Sequence, residues 1–296
     1  MFFMALYTIL WSRKPTRRSL GFLAAMTLLA IPPFGIAGWG SPMTAAGLLF
    51  PSTGFIGLGL TIFLIAALAY HKWPRNAAIG LAVTFSIVGG ISQGRFSPTS
   101  WQSTETQQEY GSITSRDSAY QFYSKADRIA RQSEADIIVF SEGAAGWRTR
   151  STESRWTTLA EIRDKTFIVG YEEQTELGAN NAVAIVTKER GFEPIYNQRM
   201  PVPISMWRPW STKGTRAHWF ATPTVKINDQ DAVVLICYEQ LLVWPIIQSA
   251  AHDPDIVIGV ANDWWAAETS IPAIQLAKMQ AWARLFEMDI VTGFNL

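Results

Sequence analysis

The chain has 296 residues, of which 48% are hydrophobic and 17% are charged, and its formal net charge at pH 7 is +1. A charged fraction below the roughly 25% that is usual for soluble proteins predicts that part of the chain lies in lipid. A net charge near zero offers no broad basic surface, so direct nucleic-acid binding is not expected. The single cysteine, Cys237, excludes an intramolecular disulfide, and the three widely spaced histidines indicate no metal site.

The hydrophobic excess is concentrated before about residue 92 and predicts about three transmembrane helices. Residues 20–39 are uncharged and have the roughly 20-residue length that a bilayer core of about 30 Å requires. Residues 54–70 form the second candidate, and the shorter, glycine-rich segment 77–91 forms the third. Pro32 and Pro33 predict a kink in the first of these helices.

The basic residues predict the orientation of this membrane region. Four basic residues precede the first candidate helix: Arg13, Lys14, Arg17 and Arg18. Three lie between the second and third: His71, Lys72 and Arg75. The connection "GWGSP" between the first and second has none. Lysine and arginine stay preferentially on the cytoplasmic side. The predicted location is therefore a bacterial inner membrane, with everything after about Gln93 on the outer, periplasmic face.

From about Phe96 onward, short β-branched runs alternate with amphipathic segments, which predicts an α/β domain. We assign 1–93 to the membrane region, 94–115 to a linker rich in serine and threonine, and 116–296 to the α/β domain. The predicted strands are 135–142, 166–173, 181–187, 231–239 and 255–263. The predicted helices are 117–134, 155–165 and 269–288.

Three of the predicted strands end in residues that could carry chemistry. Glu142 closes "DIIVFSE", Cys237 closes "VVLIC", and Asn262 and Asp263 close "VIGVAND". Reactive groups collect at the carboxyl ends of strands in α/β sheets, so a cysteine nucleophile with Glu142 as its base is one hypothesis. The alternative is structural, because a lone cysteine is often a small core residue and Glu142 and Glu239 are compatible with strand-end surface charges.

Taken together, "IIVFSEGA", "LICYEQLLVWP" and "VIGVANDWW" resemble the nitrilase (carbon–nitrogen hydrolase) superfamily, and among its members the membrane enzyme apolipoprotein N-acyltransferase. The resemblance covers about residues 96–296. It implies an α-β-β-α sandwich and acyl transfer or amide hydrolysis through a cysteine thioester, without a metal or an organic cofactor. The residue roles that it implies are Cys237 as nucleophile, Glu142 as general base, and Tyr238, Glu239, Asn262, Asp263 and Trp264 in substrate binding.

One departure from the family pattern affects the expected activity. In "IYNQRMPVPISMWRPW", the position of the catalytic lysine of the family is occupied by Gln198, and the adjacent Arg199 cannot give up a proton. Gln198 could donate one neutral hydrogen bond to an oxyanion, but it supplies no charge that lowers the thiol pKa. Loss of one preorganised donor costs on the order of 10²–10³ in rate. The alternative function is therefore a catalytically impaired scaffold within an envelope assembly.

Two further features complete these expectations. The chain reaches "TGFNL" where the family continues with more strands, which predicts an incomplete sandwich.

The segment "QRMPVPISMWRPW" also resembles the TraB proteins of bacterial plasmids, a membrane branch of the superfamily, and this resemblance implies a role in conjugal transfer. The expected partners are membrane lipid, an acyl donor or lipoprotein-like substrate, and conjugation or envelope proteins.

Overall fold

The computed structural model of the chain describes residues 2–70, 98–107 and 116–296. The helices are α1 (Phe2–Ile9), α2 (Pro15–Leu28), α3 (Ala46–Leu49), α4 (Gly54–Tyr70), α5 (Arg116–Gln132), α6 (Arg150–Arg163), α7 (Trp244–Ala250) and α8 (Ile271–Phe286). The strands are β1 (Trp101–Thr106), β2 (Ile137–Val139), β3 (Thr166–Thr175), β4 (Gly178–Thr187), β5 (Gly191–Asn197), β6 (Val225–Ile227), β7 (Gln230–Ile236), β8 (Ile256–Asn262) and β9 (Asp289–Asn295). Short 3-10 helices cover Phe34–Ala37, Pro42–Ala45, Cys237–Leu241 and Trp264–Ala266.

The strands of the described residues form one sheet in the order β5-β4-β3-β2-β1-β9-β8-β7-β6. From β3 to β7 in this order every pairing is parallel. Parallel neighbours need crossover connections, which α5, α6, α7 and α8 provide. β1 joins the two halves of the sheet, because residues 101–103 pair with β2 and residues 104–106 pair with β9.

The two halves of the sheet pack face to face, with helices on both outer sides. Along β7, Val234 and Ile236 belong to the inner core that the two halves share, whereas Val233 and Leu235 pack outward with α8. This alternation follows from the two-residue period of a strand. Burial on both faces explains why β7 reads as the unbroken apolar run "VVLI". The predicted α/β class and α-β-β-α layering are therefore present.

The predicted N-terminal transmembrane helices are wrong. In the part of the chain that the structure describes, no helix has both the length and the apolar character needed to cross a membrane. The first predicted span, 20–39, is interrupted because α2 ends at Leu28 and Pro32 and Pro33 follow. The second span coincides with α4, whose 17 residues reach about 26 Å against a core of about 30 Å. The third, 77–91, lies outside the described residues.

The N-terminal helices pack on the outer side of the sandwich, against α8. Met26 and Ala46 share one buried core with Trp282. At the closest approach, a Cβ on Gly47 would lie 1.7 Å from the carbonyl oxygen of Ala281, so only glycine fits there. The apolar composition that indicated a membrane region therefore serves, in part, to bury these helices against the α/β domain.

The sequence located the central strands and missed those at other positions. Predicted strands coincide with or overlap five observed strands, β2, β3, β4, β7 and β8. No strand was predicted at the positions of β5, β6 and β9. β1 lies inside the segment that was assigned to a linker. The sheet that was expected to be incomplete is continuous at its centre, because β9 pairs with β8 on one side and with β1 on the other.

Candidate active site

The carboxyl ends of the parallel strands bring together two predicted catalytic residues and one predicted substrate-binding residue. Glu142 follows β2, Cys237 follows β7 and Asp263 follows β8, and all three side chains line one cavity of about 670 Å³. Because these strands run in the same direction, their ends open at the same edge of the sheet. The structure thus places these three strand-end residues at one cavity.

Cys237 occupies a sharp turn between β7 and a 3-10 helix. Its φ of +46° lies in the left-handed region, which is uncommon for a residue with a side chain and is one of the conformations found at active sites. The half-buried thiol is turned into the cavity, where the backbone N–H of Tyr238 donates a hydrogen bond to it. The turn thus presents Sγ at the floor of the cavity.

Glu142 is held beside the thiol by two donors. Its Oε1 accepts a hydrogen bond from Asn181 Nδ2 at 2.6 Å, and its Oε2 accepts one from the backbone N–H of Asn262 at 3.1 Å. Burial raises the pKa of Glu142 to about 7, because it disfavours the charged carboxylate more than these hydrogen bonds stabilise it. A carboxyl group with a pKa near neutrality is suited to accept and return a proton.

A second carboxyl group lies on the other side of the thiol. Asp263 is fully buried, and its Oδ1 lies 3.9 Å from Cys237 Sγ. Gln275, from α8, donates through Nε2 to the carbonyl oxygen of Cys237 at 3.2 Å and lies 3.9 Å from Sγ. Burial raises the pKa of Asp263 to about 6. The thiol is therefore flanked by two acids and an amide.

The electrostatics of the site keep the thiol protonated in the absence of a substrate. Burial raises the pKa of Cys237 well above its ordinary value, and the neighbouring Glu142 and Asp263 raise it further. Among the described residues, no lysine, arginine or histidine lines the cavity and lowers this pKa. The lining residues are Trp39, Glu142, Gly143, Glu172, Val202, Ser205, Met206, Cys237, Tyr238, Leu241, Asn262, Asp263, Trp264, Trp265, Ile271 and Gln275.

Gln198 is fully buried beside the cavity wall. Its Nε2 donates to the carbonyl oxygen of Ile236 at 3.1 Å, and its Oε1 accepts from Asn181 Nδ2 at 3.0 Å. Asn181 therefore connects Gln198 to Glu142. Gln198 is not among the residues that line the cavity, so in this conformation it supports the base and the end of β7 instead of offering a donor to an oxyanion.

The predicted substrate-binding residue Glu239 points away from the cavity. It is fully buried and accepts hydrogen bonds from the backbone N–H groups of Ile236, Arg199 and Met200 and from the hydroxyl of Tyr196. Its charge is offset by Arg199, whose guanidinium contacts the Tyr196 ring and hydroxyl. Glu239 fixes the position of the Cys237 turn relative to β5 and the segment after it.

The other predicted substrate-binding residues lie at the cavity. Tyr238, Asn262 and Trp264 line it, and Tyr238 also donates its hydroxyl hydrogen to the carbonyl oxygen of Ile36 at 2.6 Å. Burial raises the pKa of Tyr238 to about 12, so the phenol stays protonated at neutral pH. Trp264 is half exposed and, with Trp39 from the N-terminal segment, forms an aromatic part of the wall.

Four residues of the site were missed in the sequence. Asn181 opens the apolar run of β4, and Gln275 stands among apolar residues of α8, so each is a polar residue at a position that a core would fill with hydrocarbon. A polar residue at such a position is the sequence signal that could have identified Asn181 and Gln275. Trp39 and Glu172 gave no such signal, because only the packing of their segments brings them to the cavity.

The family relationship of the chain is decided by its relatives. A carbon-nitrogen hydrolase family model matches residues 167–284. The probable conjugal transfer protein TraB of Sinorhizobium fredii is 35% identical over 303 residues, covering 99% of this chain and 77% of that protein. The conjugal transfer protein TraB of Agrobacterium fabrum is 36% identical over 312 residues, covering 99% and 73%. The chain belongs to the TraB family of conjugal transfer proteins.

Solved structures show the fold of this TraB-family chain. An amidase of the nitrilase superfamily from Nesterenkonia AN1 superposes with a TM-score of 0.50 at 14% identity, covering 64% of this chain and 74% of that chain. The glutamine-dependent NAD+ synthetase of Acinetobacter baumannii gives 0.51 at 16% identity, covering 66% and 38%. Both the nitrilase resemblance and the narrower TraB resemblance inferred from the sequence are confirmed.

Proposed function

We propose that this TraB-family chain is a cysteine-dependent acyltransferase or amide hydrolase that supports plasmid conjugal transfer. The observation that carries the proposal is the position of the Cys237 thiol, at a strained turn on the cavity floor and in contact with Glu142. The names of the TraB relatives support the process, and the carbon-nitrogen hydrolase match supports the class of chemistry.

In the proposed reaction, Glu142 removes the thiol proton as Sγ attacks the acyl carbon, so a C–S bond forms and the carbonyl electrons move to oxygen. The tetrahedral intermediate collapses, and the leaving amine or alcohol takes the proton from Glu142. Water or an acceptor then attacks the thioester while Glu142 removes its proton, and the thiol is regenerated. The backbone N–H of Tyr238 and Nε2 of Gln275 are the donors nearest to the developing oxyanion.

Trapping of an acyl-enzyme tests this proposal. The full chain is incubated with p-nitrophenyl acetate, and its intact mass is measured together with that of Cys237→Ala. We expect the wild type to gain one acetyl group, located at Cys237 by peptide mapping, and the variant to gain none. A wild type without an adduct, or equal labelling of Cys237→Ala, would contradict the proposal.

A second candidate is the catalytically impaired scaffold, favoured by the absence of a cationic side chain among the described residues of the cavity wall. The pH dependence of Cys237 alkylation separates the two, in the wild type, in Gln198→Lys and in the neutral control Gln198→Met. A wild-type thiol that is neither alkylated nor acylated by p-nitrophenyl acetate, together with a reactive thiol in Gln198→Lys, supports the scaffold. Conjugal transfer by Cys237→Ala then measures whether the cell needs the thiol.

The predicted location at the inner membrane, with its lipid and envelope partners, stays a prediction. A periplasm-specific reporter fused after Gln93 tests the side of the membrane, with a cytoplasm-specific reporter at the same position as its control. A periplasmic reporter that stays inactive, with an active cytoplasmic one, contradicts the predicted outer-face location.

A further inference from the structure

The floor of the cavity is acidic and lacks a counter-charge. Glu142, Glu172 and Asp263 all line it, and burial raises the pKa of each above its ordinary value. Among the described residues that form its walls, none is a cation. Buried carboxyl groups are ordinarily paired, because an uncompensated charge in a low-dielectric site is costly. These three acids therefore have hydrogen-bond donors at most, and no cationic partner among the described residues that line the cavity.

Two buried oxygen atoms at the cavity have no hydrogen-bond partner. They are Oδ2 of Asp263 and Oε1 of Gln275, and the two residues are 0% and 1% exposed. Asp263 does accept hydrogen bonds from the side chains of Gln275 and Cys237, which lower its pKa. An unsatisfied buried acceptor costs about 1–3 kcal/mol, so such atoms usually have a partner in the working state of a protein. Both residues line the cavity beside Cys237. Both oxygen atoms can therefore accept a hydrogen bond from a donor that enters the cavity.

We propose that the substrate carries a protonated primary amine close to its reacting acyl group, and that this ammonium binds between Asp263 and Gln275. The inference rests on the proposed function and names its substrate class. An ammonium has three donors and one positive charge, which match two orphaned acceptors and an acidic floor. Apolar walls formed by Val202, Met206 and Ile271 accommodate a hydrocarbon stem.

The bound ammonium also takes the place of the lysine that the family pattern leads one to expect. A positive charge beside Sγ stabilises the thiolate and favours transfer of the thiol proton to Glu142. Gln198 cannot supply this charge, and its amide is already engaged with Ile236 and Asn181. The bound ammonium therefore adds to the activation that Glu142 alone gives to the cysteine, so a substrate with an ammonium group reacts faster than a neutral ester.

A metal ion is the other ligand that three carboxyl groups could attract. In the described part of the chain, however, no group of three histidine, cysteine, aspartate or glutamate side chains is placed closely enough to hold one. An ammonium needs fewer ligands than a divalent cation, because hydrogen bonds to two acceptors and a nearby negative charge are sufficient. The spacing of the acids thus favours an organic cation.

Calorimetric binding of two matched probes tests the inference. Hexylammonium and 1-hexanol are titrated into the full-length wild type, Asp263→Asn, and the matched control Asp253→Asn, whose exposed side chain lies away from the cavity. We expect hexylammonium to bind about tenfold or more tightly than 1-hexanol to the wild type and to the control. Asp263→Asn removes most of that advantage. Gln275→Leu, which deletes the second acceptor, reduces it as well.

Equal affinities of the two probes for the wild type, or a preference that persists in Asp263→Asn, would overturn the inference. Unfolding transitions of Asp263→Asn and Gln275→Leu show whether these variants retain the native fold. If a variant does not fold, the affinities of hexylammonium and 1-hexanol for the wild type decide whether the inference holds. The acyl-enzyme assay is read separately with a neutral ester. An acylated protein without an ammonium preference contradicts only the inference, whereas an ammonium preference without acylation contradicts only the proposed function.

Discussion

Asn181 determines how the base of the site is held. Its Nδ2 donates to Glu142 at 2.6 Å and to Gln198 at 3.0 Å, so one side chain fixes two residues. The bond to Glu142 stabilises the carboxylate and opposes the rise in its pKa that burial causes. The ionisation of Glu142, the proposed base, therefore depends near neutral pH on Asn181.

Replacement of Asn181 by leucine is expected to raise the pKa of Glu142 further above 7. Because the base must be ionised to accept the thiol proton, the acylation rate then reaches half of its plateau at a higher pH, by on the order of one unit. The pH profile of acylation measures this shift. Asn180→Leu is the control, since its Oδ1 contacts His218 instead of Glu142. An unchanged midpoint in Asn181→Leu contradicts the assigned role.

Glu142 also links stability to pH, with a sign that its raised pKa determines. The folded protein binds the proton of Glu142 more tightly than the unfolded chain does, with pKa values of about 7 and 4.5. The contribution to stability is complete below about pH 4.5 and is lost as the pH rises through 7. Between pH 5 and pH 8, the free energy of unfolding of the wild type falls as this contribution is lost. The fall is expected to be smaller in Glu142→Gln, by on the order of 2 kcal/mol.

Urea unfolding of both proteins at pH 5 and pH 8 measures this difference. Asp263 and Glu172, whose pKa values are also raised, are present in both proteins, so most of their contribution cancels in the comparison. A larger loss of stability in Glu142→Gln than in the wild type would contradict a raised pKa at this residue.

The turn after β7 is held by the buried carboxylate of Glu239. Glu239 accepts hydrogen bonds from three backbone N–H groups and from Tyr196, and Arg199 offsets its charge. Arg199 itself donates to Gln248 and Ser249 on α7. The network joins the turn that carries Cys237 to the neighbouring elements.

Glu239→Gln leaves the buried Arg199 without a counter-charge. Removal of one partner of a buried pair costs about 3–5 kcal/mol, and we expect the free energy of unfolding to fall by about that amount. Denaturant unfolding of the variant measures the loss, with Glu161→Gln on the exposed surface of α6 as the control. If Glu239→Gln is as stable as this control, the pair does not hold the turn.

The element scale also explains what the sequence could and could not predict. β7 and β8 are apolar runs bounded by polar residues, and these local patterns placed Cys237 and Asp263 at strand ends. β1 reads "WQSTET", which is polar enough for a linker, and it becomes a central strand only because two distant strands, β2 and β9, provide its partners. Pairing between distant segments is not visible in a local pattern.

The same limit applies to the site. Convergence of Glu142, Cys237 and Asp263 follows from the general rule for parallel strands, so it could be predicted. The role of Gln275 depends on the angle at which α8 crosses β7 and β8, and the role of Trp39 depends on how the N-terminal segment packs. Hydrophobicity alone did not distinguish helices that pack on a protein from helices that enter lipid, which is the reason for the wrong transmembrane prediction.

At the scale of the whole molecule, the N-terminal helices and the α/β domain form one packed body around α8. The close contact at Gly47 predicts that Gly47→Ala is destabilising by at least about 2 kcal/mol, because its Cβ would overlap the carbonyl oxygen of Ala281. Gly59→Ala on α4 is the matched control, since a Cβ there meets no atom within 4 Å and alanine favours a helix.

Denaturant unfolding and limited proteolysis of the two variants test this packing. We expect Gly47→Ala to expose the N-terminal helices to protease, and Gly59→Ala to be as resistant as the wild type. Equal resistance of both variants would contradict a tight seam between α3 and α8. The same experiment reports on the cavity, because Trp39 forms part of its wall.

The position of β9 has a consequence for how fast the site can form. Thr106 on β1 and Asn295 on β9 are hydrogen-bonded although 189 residues separate them, and Asn295 also accepts from the backbone N–H of Asp263. Closing so long a loop is entropically unfavourable, and chains rich in such contacts fold slowly. A ribosome must therefore synthesise residues 289–295 before the acid beside the thiol is held in place, so the cavity around Cys237 cannot form while these residues are missing.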